Sequence, residues 1–196
     1  MHTMTIQLTY PPDKTIDTEP LVTGEELLRM GDIGRAELID GVIKYYMPTG
    51  HPHGYYELLL GMFIMQFVLK HNLGRALSGE VGIYIRRNPD TVRAADVAFI
   101  SHERLAEAKP QGYLDVAPEL VVEVMSPDET WSDVNDKLED YFSIDIQQVW
   151  VVDPRRERIH IYRGLTDITL LTKNDTLDGG EVLPGFAVSV AEILGE

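Results

Sequence analysis

One acidic residue interrupts an apolar segment in the middle of the chain. The segment ELVVEVM, residues 119–125, places Glu123 on the same strand face as Val121 and Met125, and its other face is wholly apolar. A strand that is apolar on both faces is typical of the centre of a sheet covered on both sides. Because an ionised carboxylate buried alone is strongly destabilising, Glu123 must be protonated, paired or bound to a cation.

A second acid and a lysine complete a set that could do chemistry. In the segment AADVAFI the pattern predicts that Asp96 opens another apolar strand, and Lys137 lies in the second turn of the helix predicted after Glu123. Two carboxylates on neighbouring strands can hold a hard cation such as magnesium, for which manganese can substitute. The cation would polarise a phosphoryl oxygen and acidify a bound water, and the lysine would orient that water or stabilise charge on the phosphate.

The same residues also have a purely structural interpretation. A strand glutamate and a helix lysine often form a buried ion pair, and an aspartate at a strand start is often a turn residue. Asp96, Glu123 and Lys137 together favour metal-assisted phosphodiester hydrolysis more than any one of them alone.

Composition bounds the class of protein. Of the 196 residues, 44% are hydrophobic and 25% charged, which is ordinary for a globular domain. We expect an N-terminal arm over residues 1–20, which contains three prolines, and a single domain over 21–196. No apolar run approaches the roughly 20 residues that cross a bilayer, and no signal peptide is visible, so we expect no membrane association and a cytoplasmic location.

Charge and cysteine content narrow the chemistry. The absence of cysteine excludes disulfides, thiolate zinc sites and cysteine nucleophiles, so any metal must bind to oxygen or imidazole. The net charge of −15 argues against a general nucleic-acid binder, because such proteins usually display a basic face.

The predicted elements describe a mixed fold. Thr23 and Glu26 predict a capped helix, and Asp40-Gly41 predicts a tight hairpin. An apolar helix follows over HGYYELLLGMFIMQFVLKHN, and two strands flank the turn Asn88-Pro89-Asp90. The strand of Glu123, a helix from about residue 132 and the strands QVWVVD, RIHIYR and ITLLT come next. This order predicts an α/β (α+β mixed) fold with a central mixed sheet flanked by helices.

Six segments together resemble the Uma-two family, a bacterial group named for restriction endonucleases, long listed as a domain of unknown function and assigned to the PD-(D/E)XK nuclease-like superfamily. The segments are RAELIDG, HPHGYYELLLGMF, ADVAFIS, PELVVEVMSP, DKLEDYF and QVWVVDP, in the family's order over about residues 20–165. The resemblance implies a restriction-endonuclease-like core and a magnesium-dependent DNA endonuclease. It matches the family's metal-binding aspartate to Asp96 and its strand glutamate to Glu123.

The lysine departs from the superfamily pattern. That pattern places lysine two residues after the glutamate, where this chain has Met125, and in this family the lysine corresponds to Lys137 on the following helix. The family's first glutamate corresponds to Glu37, which could support the metal site or be a solvated strand-edge acid. The histidine that begins the long helix corresponds to His53, which we expect to support the ligands or cap the helix rather than bind the metal.

Three arginines near the Asp96 strand are candidates for phosphate contacts. Arg86, Arg87 and Arg93 flank the turn before Asp96, although a solvated hairpin tip is the slightly favoured interpretation.

The sequence is compatible with three functions. The first is a magnesium-dependent DNA endonuclease that uses Asp96, Glu123, Lys137 and Glu37, and that works as a homodimer because two-fold symmetry matches a duplex. The second is an inactive nuclease-fold binding module for nucleic acid or protein. The third is a metal-dependent hydrolase of a smaller phosphoester, which needs fewer basic residues around the cleft.

Overall fold

The computed structural model describes residues 20–195, which form ten strands and five α-helices. The helices are α1 Gly24–Arg29, α2 His51–His71, α3 His102–Glu107, α4 Trp131–Ser143 and α5 Val190–Leu194. The strands are β1 Ala36–Ile39, β2 Val42–Tyr45, β3 Gly74–Arg86, β4 Thr91–Ser101, β5 Leu120–Val124, β6 Gln148–Asp153, β7 Arg158–Tyr162, β8 Ile168–Thr172, β9 Thr176–Gly179 and β10 Leu183–Ser189.

An eight-stranded mixed sheet is the centre of the fold. Its path runs β2-β1-β4-β5-β6-β7-β8, with β3 also paired to β4, and a separate ribbon joins β9 to β10. Among the paired strands of residues 20–195, only β5 and β6 run parallel, and α4 makes the crossover between them. The predicted mixed sheet flanked by helices is therefore confirmed.

Strand β5 is covered on both faces, as its apolar pattern predicts. On one face Leu120, Val122 and Val124 pack in a core that includes α2. On the other, Val121 packs in a second core with the apolar side of α4. The strand that carries Glu123 is therefore buried between two helices that approach from opposite sides.

The edge of β4 that faces β1 and β5 has a gap, which we call the notch. Strand β3 follows the other edge of β4 along its length, so β1 and β5 must share the remaining edge. There β1 pairs only at Val92, and pairing with β5 begins at Val97, which leaves residues 93–96 between the two strands. Backbone groups in this gap need partners other than a strand, because buried backbone donors are almost always hydrogen-bonded.

A β-bulge lies across β4 from the notch. Ser78 pairs with Val97 and Val81 pairs with Ala95, so Gly79 and Glu80 together oppose Asp96. Both bulge residues have positive φ, 90° for Gly79 and 60° for Glu80. Bulges of this kind bend a strand and redirect its side chains.

Several sequence predictions differ from the structure in detail. Strand β4 begins at Thr91, so Asp96 lies in its middle instead of opening it. The short helices α3 and α5 and the ribbon of β9 and β10 were not predicted from the sequence. The predicted arm over residues 1–20 falls, except for Pro20, outside the described residues. None of the helices in residues 20–195 combines the length and the apolar character needed to cross a membrane.

Candidate active site

The Glu123 carboxylate is held by two donors from α4. Lys137 Nζ lies 2.6 Å from Oε2, and the Tyr141 hydroxyl donates to Oε1 at 2.6 Å. Glu123 is only 4% exposed, so both contacts lie away from bulk water. Lys137 also contacts Glu129 Oε1 at 3.1 Å, which ties the loop before α4 to the same ammonium group.

Helix α4 positions these donors through its sequence pattern. Thr130 and Asp133 form a capping box that fixes where the helix begins. Lys137 and Tyr141 are four residues apart, so both side chains lie on one helix face. Leu138 is buried against the sheet and holds that face close to β5.

Burial and the ion pair act in opposite directions on the pKa of Glu123 and on the pKa of Lys137. Burial is the largest influence on Glu123 and raises the pKa of its carboxyl to about 8, while Lys137 opposes the shift and Asp96 adds to it. Burial acts to lower the pKa of Lys137, but the carboxylates around it, Glu123 first, outweigh burial and raise that pKa well above its usual range. Lys137 is therefore the fixed positive charge of the site.

Asp96 lies next to Glu123 in the notch. Antiparallel pairing of Val97 with Val122 would, one residue further, set Asp96 opposite Glu123, but the ladder ends there. Asp96 Oδ2 instead accepts the Val124 backbone N–H at 2.7 Å. The side chain thus replaces a missing strand partner, and the two acids predicted to face one site are neighbours.

His53 approaches Asp96 from α2, on the opposite side of the sheet from Lys137. Its Nε2 lies 3.3 Å from Asp96 Oδ2, and its Nδ1 lies 4.0 Å from Glu57 Oε2, one helical turn later. Burial acts to lower the pKa of His53, but contact with Asp96 outweighs it and raises that pKa. Burial and the charge of Asp96 raise the pKa of Glu57.

Glu37 fills the other end of the notch. Its Oε1 accepts the Ala94 backbone N–H at 3.0 Å, and its Oε2 accepts from the Tyr46 hydroxyl at 2.8 Å and from Arg93 Nη1 at 3.0 Å. Glu37 is 3% exposed. Glu37 is therefore not the solvated strand-edge acid of one sequence interpretation, and its support of a metal site stays a prediction.

The three arginines that are candidates for phosphate contacts are all paired with acids. Arg93 bridges Glu37 and Asp140, with its Nε 2.7 Å from Asp140 Oδ2, and it is only 8% exposed. Arg86 contacts Asp40 at 2.6 Å and Asp140 at 3.2 Å.

Arg87 lies further from the notch. It pairs with Glu25 and Asp90, and its guanidinium lies 3.4 Å from the centre of the Tyr84 ring. Of the three arginines, only Arg93 lines the cavity described next.

A cavity of about 500 Å³ opens at the notch. Asp96, His53 and Lys137 line it, together with the loop after β2. Its wall contains seven acidic residues, Glu37, Glu80, Asp96, Asp128, Glu129, Asp133 and Asp136, against four basic ones, Arg35, Lys44, Arg93 and Lys137. The cavity is therefore electronegative, which favours a cation and disfavours a bare phosphate.

The comparisons with known proteins agree with this architecture. The Uma2 family, described as "Putative restriction endonuclease", matches residues 25–191. The chain belongs to the Uma2 family. None of the curated proteins compared with the chain matches it.

A solved structure shares the fold of this Uma2 protein. It is described as "a putative nuclease belonging to DUF820" from Anabaena variabilis. The two are 19% identical, with a TM-score of 0.74, and the match covers 89% of this chain and 98% of the other. At that identity the likeness shows the fold, which is restriction-endonuclease-like.

The donor set of the notch fits a divalent cation. His53, Glu57 and Asp96 each offer a ligand atom, and these atoms all lie within 4.8 Å of one another. His53 Nδ1 is buried and has no hydrogen-bond partner among the described residues. Carboxylate oxygens and imidazole nitrogen are ordinary ligands of divalent metals.

Sequence reasoning missed several residues that shape this site. Glu57 follows His53 by four positions on one helix face, a signal masked by the apolar residues around it. Tyr141 follows Lys137 by the same interval. Asp140 and Glu129 gave no signal, because exposed acids are common in helices and loops.

Replacing Tyr141 with Phe removes one of the two donors to Glu123 while keeping the buried ring. We expect the free energy of unfolding to fall by about 1–3 kcal/mol, because a buried carboxylate oxygen loses its partner. Urea denaturation measures the change. Tyr45→Phe, at a side chain that is 65% exposed, is the matched control and should change stability by less than about 0.5 kcal/mol. Equal losses in the two variants would contradict the stabilising role of the Tyr141 hydroxyl.

Proposed function

We propose that this Uma2 protein is a divalent-cation-dependent nuclease that hydrolyses phosphodiester bonds in DNA. The observation that carries the proposal is the buried Lys137–Glu123 contact next to a cavity that Lys137 and Asp96 line and Glu123 does not. Family membership supports the same reaction class. A lysine carried by the following helix reaches the strand glutamate, so its displacement from the position of Met125 removes no group from the site.

The residues of the chain have separate roles in this proposal. Asp96 and Glu123 would hold the cation, magnesium or manganese, which when bound polarises a phosphoryl oxygen and acidifies a water. Lys137 would orient the attacking water or stabilise the negative charge that grows on the phosphate. Tyr141 holds Glu123 in place, and Glu37 supports the notch through the Ala94 N–H and Arg93.

The electronegative cavity makes the cation essential to substrate binding. A phosphodiester entering a wall with seven acids and four basic residues would be repelled unless bound cations offset the charge. Cleavage should therefore stop completely when the cation is removed, and added salt should not replace it.

Cleavage of supercoiled plasmid with magnesium or manganese tests the proposal. We expect Asp96→Asn, Glu123→Gln and Lys137→Met each to lower the rate by at least roughly 100-fold, because each removes a charge that acts on the reacting phosphate. Folding is checked by circular dichroism.

The matched control is Asp167→Asn, at an exposed acid in the turn before β8, which should cleave at the rate of the unchanged protein. Cleavage that persists in EDTA, or that survives in Asp96→Asn, would contradict the proposed site. So would a folded, metal-loaded protein that cleaves no nucleic acid.

The acid-rich wall favours a second candidate, a hydrolase of a smaller phosphoester. A small substrate needs few basic contacts, and the cavity of about 500 Å³ is large enough for a nucleotide-sized molecule. Turnover of a small phosphodiester without cleavage of plasmid or short duplexes would select this candidate.

We also propose that the protein forms a homodimer through α2. One side of this helix is buried in the core, but the other carries exposed apolar residues at alternating intervals of three and four. We call this set the α2 stripe: Tyr55, Leu58, Met62, Met65 and Leu69. Such spacing is that of helices that pack against a second helix. A second copy of the chain offers the same stripe, so a two-fold axis would bury both.

Replacing Leu58 with Glu should break this contact. Leu58 is 70% exposed in the monomer, so the new charge should leave folding intact while opposing burial at the interface. We expect the mass measured by light scattering to fall from two chains to one. Leu165→Glu, at an apolar residue that is 52% exposed in a turn, is the control and should remain a dimer. A monomeric starting protein, or a Leu58→Glu dimer, would contradict the proposal.

A further inference from the structure

We propose that His53 and Glu57 are direct ligands of the cation held by Asp96, which makes the site a mixed nitrogen and oxygen centre that prefers manganese over magnesium. The inference rests on the proposed function in one respect, that Asp96 binds a cation. It goes further by assigning two ligands on α2 and a metal class.

The distances between the donor atoms suit one cation. A divalent metal lies about 2.1 Å from each nitrogen or oxygen ligand, so two of its ligands are separated by about 3–4.2 Å. His53 Nδ1 and Glu57 Oε2 are 4.0 Å apart, too far for a hydrogen bond and within that range. All the ligand atoms of His53, Glu57 and Asp96 lie within 4.8 Å of one another, at most about 0.6 Å beyond that range.

The Nδ1 atom of His53, which has no hydrogen-bond partner among the described residues, indicates that a cation binds between His53 and the two carboxylates. His53 is 5% exposed, and its Nε2 lies 3.3 Å from Asp96 Oδ2, a separation that suits two ligands of one cation. Its Nδ1 has no hydrogen-bond partner among residues 20–195 and lies 4.0 Å from Glu57 Oε2. A buried imidazole between two carboxylates, with a ring nitrogen left unpaired, is stabilised when a cation binds among the three groups.

One oxygen of each carboxylate accepts a backbone N–H, which holds the ligands in place. Glu57 Oε1 accepts the backbone N–H of Gly79, in the bulge opposite Asp96, at 3.0 Å. Asp96 Oδ2 accepts the Val124 N–H at 2.7 Å. Contacts of this kind orient metal ligands and raise affinity.

The chemical types of the proposed ligands determine which metal we expect the site to prefer. Magnesium requires near-octahedral oxygen coordination and usually keeps several waters. Imidazole suits first-row transition metals instead, and manganese also accepts carboxylates readily. A site that adds the His53 imidazole and the Glu57 carboxylate to Asp96 and Glu123 should therefore bind manganese more tightly than magnesium.

Pulsed electron paramagnetic resonance of bound Mn²⁺ tests the assignment without an activity readout. We expect a coupling between the metal and an imidazole nitrogen in the unchanged protein, and the coupling should change when histidine carries the heavy nitrogen isotope. His53→Gln should abolish the coupling and weaken Mn²⁺ binding, measured by calorimetry, at least about tenfold. Glu57→Gln should weaken Mn²⁺ binding and keep the coupling.

The control is His51→Gln, at an exposed histidine two residues earlier on α2, which should keep both the coupling and the affinity. Bound Mn²⁺ without nitrogen coupling, or coupling that survives in folded His53→Gln, would overturn the inference. If that protein still cleaves DNA in a manner that depends on Asp96, the proposed function stands and only the ligand assignment fails. No Mn²⁺ binding and no cleavage would overturn both.

Discussion

The contact between Glu123 and the two donors of α4 is the constraint around which the rest of the site is arranged. A carboxylate in a strand that is buried on both faces is tolerated only with partners, and Lys137 and Tyr141 supply them at 2.6 Å each. To deliver both, α4 must begin at its capping box, cross β5 with Leu138 against the sheet, and return the chain into β6. The parallel pairing of β5 with β6 follows from this crossover.

The notch on β4 creates a second constraint of the same kind, because buried backbone groups there also need partners. Where β1 and β5 separate, backbone donors lose their strand partners, and carboxylates replace them: Glu37 accepts from Ala94 and Asp96 accepts from Val124. The same side chains that complete the hydrogen bonding also bring negative charge to one place. Apolar residues here would leave those backbone donors without acceptors, so folding accounts for part of this buried charge. The proposed cation would offset the rest.

Local signals account for what could be predicted from the sequence. Asp40-Gly41 specified the first hairpin, Thr23 with Glu26 specified the start of α1, and the doubly apolar pattern around Glu123 specified a central strand. The reach of Lys137 to Glu123 was also expected, because a helix that follows a strand can return its side chains over the strand end.

Features of the tertiary structure account for what could not be predicted from the sequence. The bulge at Gly79 and Glu80 inserts one extra residue into a strand pairing that the sequence does not show, and a glycine in a strand pattern was its only sequence signal. Glu57 joins Asp96 only because α2 packs above the notch. The exposure of the α2 stripe depends on how much of that helix the core covers, and an all-round apolar pattern does not separate the buried side from the free one.

The dependence of thermal unfolding on Mn²⁺ tests most directly the central claim that the buried acids exist to bind a cation. A ligand that binds only the folded state stabilises it by about 2.7 kcal/mol at a hundred times its dissociation constant. The account predicts that the melting temperature of the unchanged protein rises steadily with Mn²⁺ concentration and that the melting temperature of Asp96→Asn does not. A melting temperature that is indifferent to Mn²⁺, or that rises equally in Asp96→Asn, would contradict it.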